Sequence, residues 1–580
     1  MNILEYLRSK NIGNIPSPCG GKGTCGKCRV TIVNDKNGKN DKIGTEITRQ
    51  QVLACQTEYE EGMTIILPDQ YSENDMAIVD TVINPETVSG KITDNAQEAC
   101  DNGKEELAAA CDIGTTTVAC HLLSRKTGRI LVTTAYPNAQ RSYGADVISR
   151  IEAAKNDKLE EMRVAITGQI QQMINECLSR CGRENQQISQ LVIAGNTVMC
   201  HLFTGLSPES IGRAPFMPQE YFGCNYKGGE LGFANVDDIY IMPAVSGYVG
   251  GDITSDMLYI DMYKTTACIQ NTGASKSDMT GQDAISRNKT DCDIQTTNVF
   301  KSYTNKLIHD KKDTGKLVQR EKEMLILDIG TNGEMVLGKS NDYTCCATAA
   351  GPAFEGAEIE LGMSAVSGAI SRVWIENDQI QVEVIGGDRE KGQTATAKGI
   401  CGSGLIDALY VFLCLGLIDE TGRIKTHRQV SYKYHRYLGD DEEENDCIFL
   451  TDEVYITQDD IRKLQLAKGA VAAGIAVLME ARGLKCDDIG QVFIAGGFGS
   501  VLDKRSAAGI GMIPAELVDR TVAIGNAAAG GAIIAATNPN AEKRLDEIAQ
   551  SMKYIELSSD KNFSDEYIRQ MNLGEMKWND

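Results

Sequence analysis

Three cysteines crowd the segment SPCGGKGTCGKCRV, spaced Cys19-x5-Cys25-x2-Cys28, and a fourth, Cys55, follows in LACQ. Thiolates placed this closely can pair as disulfides, work as a redox dithiol, bind zinc or hold an iron–sulfur cluster. Zinc ribbons usually join two Cys-x2-Cys knuckles, and here there is one such pair. A redox dithiol would use Cys25 and Cys28 alone and leave Cys19 and the glycines without a task. A 2Fe-2S cluster accounts for all of them: Cys19, Cys25 and Cys28 wrap it, and Cys55 closes it from a separate segment. Gly20, Gly21, Gly23 and Gly26 let the backbone turn tightly enough for amide N–H groups to point at sulfur and tune the potential.

A second chemistry is written twice. ACDIGTTTVACHLL (Ala110 to Leu123) and ILDIGTNGEMVLG (Ile326 to Gly338) each set an Asp-Ile-Gly-Thr turn between apolar runs. The backbone N–H groups of Gly114, Thr115 and Thr116, and of Gly330, Thr331 and Asn332, can cradle phosphate oxygens. Asp112 and Asp328 are placed to orient Mg²⁺ through water, because magnesium gives up its hydration shell reluctantly. One of them can also position an attacking water. A lone Asp-x-Gly-Thr is more often only a β-turn; two copies in matching settings carry more weight. IAGGFGS, with Gly496 and Gly497, ends an apolar run in a glycine pair that can admit adenine or ribose. GICGSGLID, with Gly402 and Gly404, is another glycine turn before a helix.

The elements that must position these residues follow from the pattern. Residues 1–70 form one small unit: a helix (ILEYLRSK), the cysteine loop, and two strands (CRVTIV and MTIILPD). Residues 71–105 are a polar linker. The rest divides into a first lobe, 106–263, and a second, 323–560, because the sequence repeats itself: each half has an Asp-Ile-Gly-Thr turn and later an Ile-Ala-Gly strand end, in LVIAGNTVMCHLF and VFIAGGFGSVL. Residues 264–322 are a polar insertion without a period and are expected to be disordered; LGDDEEENDC is another solvated loop, and 561–580 is a C-terminal tail.

Composition bounds the function. The chain of 580 residues is 42% hydrophobic, enough for several cores. Its net charge of −22 argues against a nucleic-acid surface, which needs clustered Lys and Arg. No long apolar run or signal-peptide core occurs, so the expectation is a cytoplasmic protein with no membrane contact. Nineteen cysteines, an odd number and mostly scattered, suit a reducing cytoplasm such as that of an anaerobe rather than a disulfide scaffold. The five histidines show no metal spacing. Cys401 sits in a tight turn with no nearby base, and Cys177, Cys181, Cys345 and Cys346 read as buried small residues.

The order of phosphate turn, second phosphate turn, glycine-rich strand end and small-residue helix is similar to the superfamily of acetate and sugar kinases, heat-shock chaperones and actin. That resemblance implies an α/β fold: a two-lobed actin-like ATPase of duplicated ribonuclease H-like lobes, with two small-residue helices crossing at the hinge. PAVSGYVGGDITSDM (Pro243 to Met257) and GNAAAGGAIIAA (Gly525 to Ala536) resemble those helices, and Asp252 either touches the magnesium shell or caps its helix. The cysteine pattern resembles ferredoxins of the plant and vertebrate type, the x5 spacing matching the vertebrate variant, and implies a small α+β (β-grasp) 2Fe-2S domain. There a β-hairpin normally precedes the helix; here the helix begins almost at Met1, which would leave a sheet edge exposed.

More closely, PNAQRSYGADVISRI, AGNTVMCHLFTG, GRAPF, AAGPAFEGAEIELGM and GICGSGLIDAL resemble the ATP-dependent reductive activators of corrinoid proteins, which join a 2Fe-2S domain to an ATPase of this superfamily. The resemblance covers nearly the whole chain apart from Ala267–Glu321. It implies that the cofactors are a 2Fe-2S cluster, ATP and Mg²⁺, and that one electron passes from the cluster to cobalt(II) of a corrinoid (cobalamin-type) protein, giving cobalt(I) as ATP is hydrolysed. It also implies an upstream reductant such as a ferredoxin or flavodoxin, and a homodimer. Two other readings of the same residues stay open: a nucleotide-gated chaperone or redox-sensing module for metalloprotein assembly, and a small-molecule kinase with a regulatory ferredoxin domain.

Overall fold

The protein is described by a computed structural model covering residues 1–9, 28–35, 47–60, 63–66, 105–272, 322–356, 358–386, 395–439, 446–496 and 502–574. Two six-stranded sheets dominate it, and five strands of one correspond to five of the other. In the first, Leu107–Ile113 pairs antiparallel with Thr117–Ser124, which pairs with Ile130–Pro137; on its other side Leu107–Ile113 runs parallel to Ile188–Gly195, and Val236–Ile241 follows. In the second, Glu323–Ile329 pairs antiparallel with Gly333–Lys339, then Asp342–Thr348; on the other side it runs parallel to Ile489–Ala495 and then Thr521–Gly525. The sixth strands break the symmetry, Cys224–Lys227 and Met552–Tyr554 being added at opposite edges. The central strands are buried along almost their whole length, which is why they read as continuous apolar runs rather than alternating ones.

Between the sheets lie two helices, Gly251–Thr272 and Ala527–Thr537. One apolar layer holds Ala108, Ala110 and Val192 of the first sheet, Met324, Ile326 and Val336 of the second, and Ile253, Met257, Ala529 and Ile533 of the helices. The small residues let the helices approach closely: Ser255 Oγ donates to the Ala528 carbonyl at 2.5 Å. A Cβ on Gly531 would lie 2.1 Å from the Ser255 carbonyl oxygen, a backbone atom that cannot swing away. Gly531→Ala is therefore expected to cost about 1–3 kcal/mol by overpacking, read as a lowered melting temperature of the two lobes.

The outer faces are covered by Leu159–Arg180 and Thr197–Thr204 on the first lobe and by Gly402–Leu415 and Gln458–Arg482 on the second. Gln458–Arg482 is long and apolar enough to cross a bilayer, but 78% of its apolar window is buried, as befits a core helix.

Two expected boundaries move. Residues 264–272, expected as the start of the polar insertion, continue the hinge helix to Thr272, while 273–321 lie outside the described residues, as do 71–104 and 440–445. The segment expected as a tail contains the helix Phe563–Arg569 and is tied down behind it. Lys468, fully buried on the long core helix, donates from Nζ to the carbonyls of Gln570 (2.6 Å) and Asn572 (2.7 Å), and Leu573 is buried.

In the N-terminal unit the helix Ile3–Ser9 lays Ile3, Leu4 and Leu7 on Cys28, Val30, Ile32, Ala54 and Cys55. Its sheet has three strands, Arg29–Asp35 flanked by Ile47–Leu53 and Thr64–Ile66. The strand absent from the sequence reading, Ile47–Leu53, has the polar run TRQQ at its centre, which conceals it.

Candidate nucleotide cleft and cluster site

The two aspartates occupy the same place in their lobes. Asp112 stands between Ala119 and Ala194 in its sheet, one residue before the strand ends; Asp328 stands between Glu334 and Ala495, again one residue before the end. The turns that follow meet across the cleft, Thr116 Oγ1 lying 3.4 Å from Thr331 Oγ1.

The first turn is held from behind by the motif that follows it. Asn138 Nδ2 donates to the Gly114 carbonyl at 2.7 Å, the Asn138 amide donates to the Thr116 carbonyl at 2.8 Å, and Arg150 Nη2 donates to the Thr115 carbonyl. All three carbonyls of the turn are thus engaged by residues 138–150. Asn196 reaches Thr115 Oγ1 at 3.1 Å, and Asn526, which caps the second hinge helix, donates to Asp112 Oδ2 at 2.9 Å. The second turn closes on itself through the Gly330 amide and the Asn332 carbonyl at 2.9 Å.

Asp328 also needs Gly496. This glycine has φ +93°, and a Cβ there would lie 2.7 Å from Asp328 Oδ1. The Ile-Ala-Gly strand end therefore makes room for the carboxylate beside it. Gly404 has a packing part: a Cβ would meet the Ile370 carbonyl at 2.4 Å, and Gly402 is buried at the same helix start. Gly497 lies outside the described residues.

More acids gather here than motif spacing points to. Asp252 and Asp256, one turn apart on the first hinge helix, join Asp112, Asp328 and Glu334. Asp112, Asp252 and Asp328 open onto the cleft but are packed round by protein; Asp256 is wholly buried and Glu334 nearly so. Burial, with Asp252's charge adding to it, pushes Asp112 up to about 7, against the Asn526 hydrogen bond. Burial and the charges of Asp252 and Asp112 push Asp328 up to about 8, and burial raises Asp252 to about 6. Asp256 and Glu334 are raised by burial and then by these neighbours. Among the described residues neither oxygen of Asp256 has a donor, and its neighbour is the Asp328 carboxyl; the two can hydrogen-bond only while one keeps a proton. A divalent cation would relieve this repulsion, so the donor set fits Mg²⁺. Among the described residues no three His, Cys, Asp or Glu side chains converge on one point. The set thus suits an ion that keeps waters and takes phosphate oxygens, held by one or two carboxylates.

In the N-terminal unit Cys28 and Cys55, 27 residues apart, bring their sulfurs to 3.2 Å with both side chains buried. That is far longer than a disulfide bond of about 2.05 Å, and two thiols converging from just before one strand and just after its neighbour fit a cluster edge. Cys19 and Cys25 lie outside the described residues.

Family models match the chain in three consecutive pieces: a 2Fe-2S iron–sulfur cluster binding domain over residues 1–60, the RACo middle region over 107–265, and the C-terminal ASKHA domain of RACo over 322–580. The solved structure titled reductive activator for corrinoid, iron–sulfur protein superposes with a TM-score of 0.64 at 28% identity, covering 99% of this chain and 95% of that one. The chain belongs to the reductive activators of corrinoid proteins. Its relatives include the corrinoid activation enzyme RamQ of Eubacterium limosum, 27% identical over 96% of this chain and 94% of that protein. A second is the [Co(II) methylated amine-specific corrinoid protein] reductase of Methanosarcina barkeri, 27% identical over 42% of this chain and 43% of that one.

The actin-like two-lobed fold behind a ferredoxin unit is thereby the fold of this activator, and its cofactors are a 2Fe-2S cluster, ATP and Mg²⁺. The cleft also contains an acid to which no motif spacing in the sequence points. Glu355 ends the short helix Pro352–Glu355 in the segment AAGPAFEGAEIELGM. Its Oε2 accepts from Thr331 Oγ1 at 2.9 Å and, by a short hydrogen bond, from Thr116 Oγ1. Arg141 and Arg150 lie near enough to feel its charge.

Proposed function

We propose that this chain delivers one electron to cobalt(II) of a corrinoid protein, giving cobalt(I), with ATP bound and hydrolysed between its lobes. The observation that carries the reading is the pair of aspartates at matching register, facing each other across a hinge built of two small-residue helices, in one chain with a ferredoxin unit. A ferredoxin alone passes electrons downhill and needs no ATP. Joining it to a two-lobed ATPase makes sense where the acceptor is hard to reduce and nucleotide states bind the acceptor differently.

In this reading Cys19, Cys25, Cys28 and Cys55 hold the cluster, which supplies one-electron transfer when bound. The electron comes from an upstream carrier such as a ferredoxin or flavodoxin. Asp112 and Asp328 orient hydrated Mg²⁺ and the attacking water. The amides of Gly114, Thr115, Thr116, Thr331 and Asn332 hold phosphate oxygens, while the Gly330 amide closes its own turn on the Asn332 carbonyl, and Gly496 and Gly497 border the nucleoside. Turnover closes and opens the lobes about the hinge.

The test is an anaerobic visible spectrum of a cobalt(II) corrinoid protein from the same cells, mixed with the reduced activator with and without Mg-ATP. A cobalt(I) band that forms only with ATP is expected. Tight ATP-dependent binding without that band would favour a chaperone or redox-sensing role, and a phosphorylated metabolite would favour a kinase.

A further inference from the structure

We propose that Glu355 is a built-in anion that competes with the terminal phosphate of ATP for the hydroxyls of Thr116 and Thr331 and must be displaced by it. This rests on the reading of the cleft as a nucleotide site and deepens it. Thr116 and Thr331 belong to the two turns whose donors are suited to phosphate, one turn on each lobe. Among the described residues the Glu355 carboxylate is what both hydroxyls donate to, through the same oxygen. A carboxylate and a phosphoryl group ask for the same thing of these threonines: a hydroxyl donor and relief from negative charge. They cannot both have it in the space between two hydroxyls 3.4 Å apart.

The placement of Glu355 is not that of a wandering surface side chain. Its helix is fixed by the buried Pro352, Ala353 and Phe354 and stopped by Gly356 at φ +75°, where a Cβ would meet the Met363 backbone at 2.6 Å. Glu355 and Thr331 both ride on the second lobe, whereas Thr116 rides on the first. The Thr116 bond is therefore a latch between lobes, and the Thr331 bond sets the carboxylate's direction. Displacing Glu355 breaks the latch at the moment the phosphate arrives, so arrival of nucleotide and release of the lobes become one event.

Two cations on the first lobe lie near enough to feel the charge of Glu355. Arg150 is fully buried on the backbone carbonyls of Gly144 and Thr115 and on the Met199 sulfur. Arg141, in the same motif, also feels the charge of Glu355. The first turn is thus backed by positive charge that the Glu355 carboxylate of the second lobe feels.

The experiment compares Mg-ATP and Mg-ADP binding to the full holoprotein and to Glu355→Gln by calorimetry, under anaerobic conditions. Gln keeps the shape and an oxygen acceptor but removes the competing charge. ATP is expected to bind the variant about tenfold more tightly than wild type, the size of a lost charged hydrogen bond, with a much smaller change for ADP, which lacks the terminal phosphate. Equal ATP affinity in the two proteins would overturn the proposal and leave the nucleotide reading standing. So would unchanged affinity with lost turnover, which would make Glu355 a base rather than a plug. ATP binding to neither protein, with the cluster spectrum intact, would sink the nucleotide reading itself. Glu355→Ala serves as a second variant: it removes the latch, and a larger radius of gyration without nucleotide is expected by small-angle scattering. An unchanged radius would refute the latch.

Discussion

Asp328→Asn should lower ATP turnover about a hundred- to a thousandfold, the size of loss seen when one preorganised electrostatic group of an active site is removed, and leave the visible spectrum of the cluster as it was. Asparagine fills the same volume beside Gly496, where a Cβ would come within 2.7 Å of the carboxylate, so the strand end need not move. What it cannot do is orient a hydrated magnesium ion as an anion does. The same change removes one member of a group of acids that burial and mutual charge hold in tension, Asp328 being pushed up to about 8. Without Mg²⁺ the variant should therefore melt higher than the wild type even as its activity falls. Stability and activity moving in opposite directions distinguish a functional carboxylate from a structural one. Phosphate release and a thermal melt in chelator check the two halves; wild-type turnover in the variant would remove Asp328 from the mechanism.

Much of the cleft was legible because the signals lie next to one another in the chain. Asp-Ile-Gly-Thr spans a strand end and its turn, so spacing alone places aspartate, glycine and hydroxyl together, and the second copy makes the pattern more than a turn. The Ile-Ala-Gly ends were legible for the same reason, and the structure supplies what spacing could not: Gly496 faces the Asp328 carboxylate. Glu355 was illegible. It lies 239 residues from Thr116, and only the closing of the lobes brings them together. Asp256 had a signal that went unused, since an acid four residues after Asp252 on one helix lies on the same face. Ile47–Leu53 was hidden because its polar TRQQ centre lacks apolar alternation. The tail was misjudged because its anchor, Lys468, is more than a hundred residues away and grips backbone carbonyls, which have no sequence signature.

Magnesium and pH should act on this protein together, and in a direction opposite to that of ordinary carboxylates. An Asp in an ion pair has a depressed pKa and loses its contribution as pH falls. Here Asp252, Asp112 and Asp328 are raised to about 6, 7 and 8 against an ordinary value of 3.8. Between about pH 4 and 8 the folded protein keeps protons that the unfolded chain has already released. Linkage then requires that folding stability fall as pH rises through that window. In chelator the ATPase lobes should melt lower at pH 8 than at pH 6. The cleft admits water to the tips of these carboxylates, which screens part of the repulsion, so the sign of the slope is the firm expectation. Mg²⁺ binds the ionised forms and pushes protons off, so it should raise the melting temperature more at pH 8 than at pH 6. Asp328→Asn should flatten both trends, because it removes the group with the highest of the three values. A chelated wild-type protein that melts higher at pH 8, with the same slope in Asp328→Asn, would mean that these acids are not in tension. The case for a metal held between the two lobes would then lose its electrostatic ground.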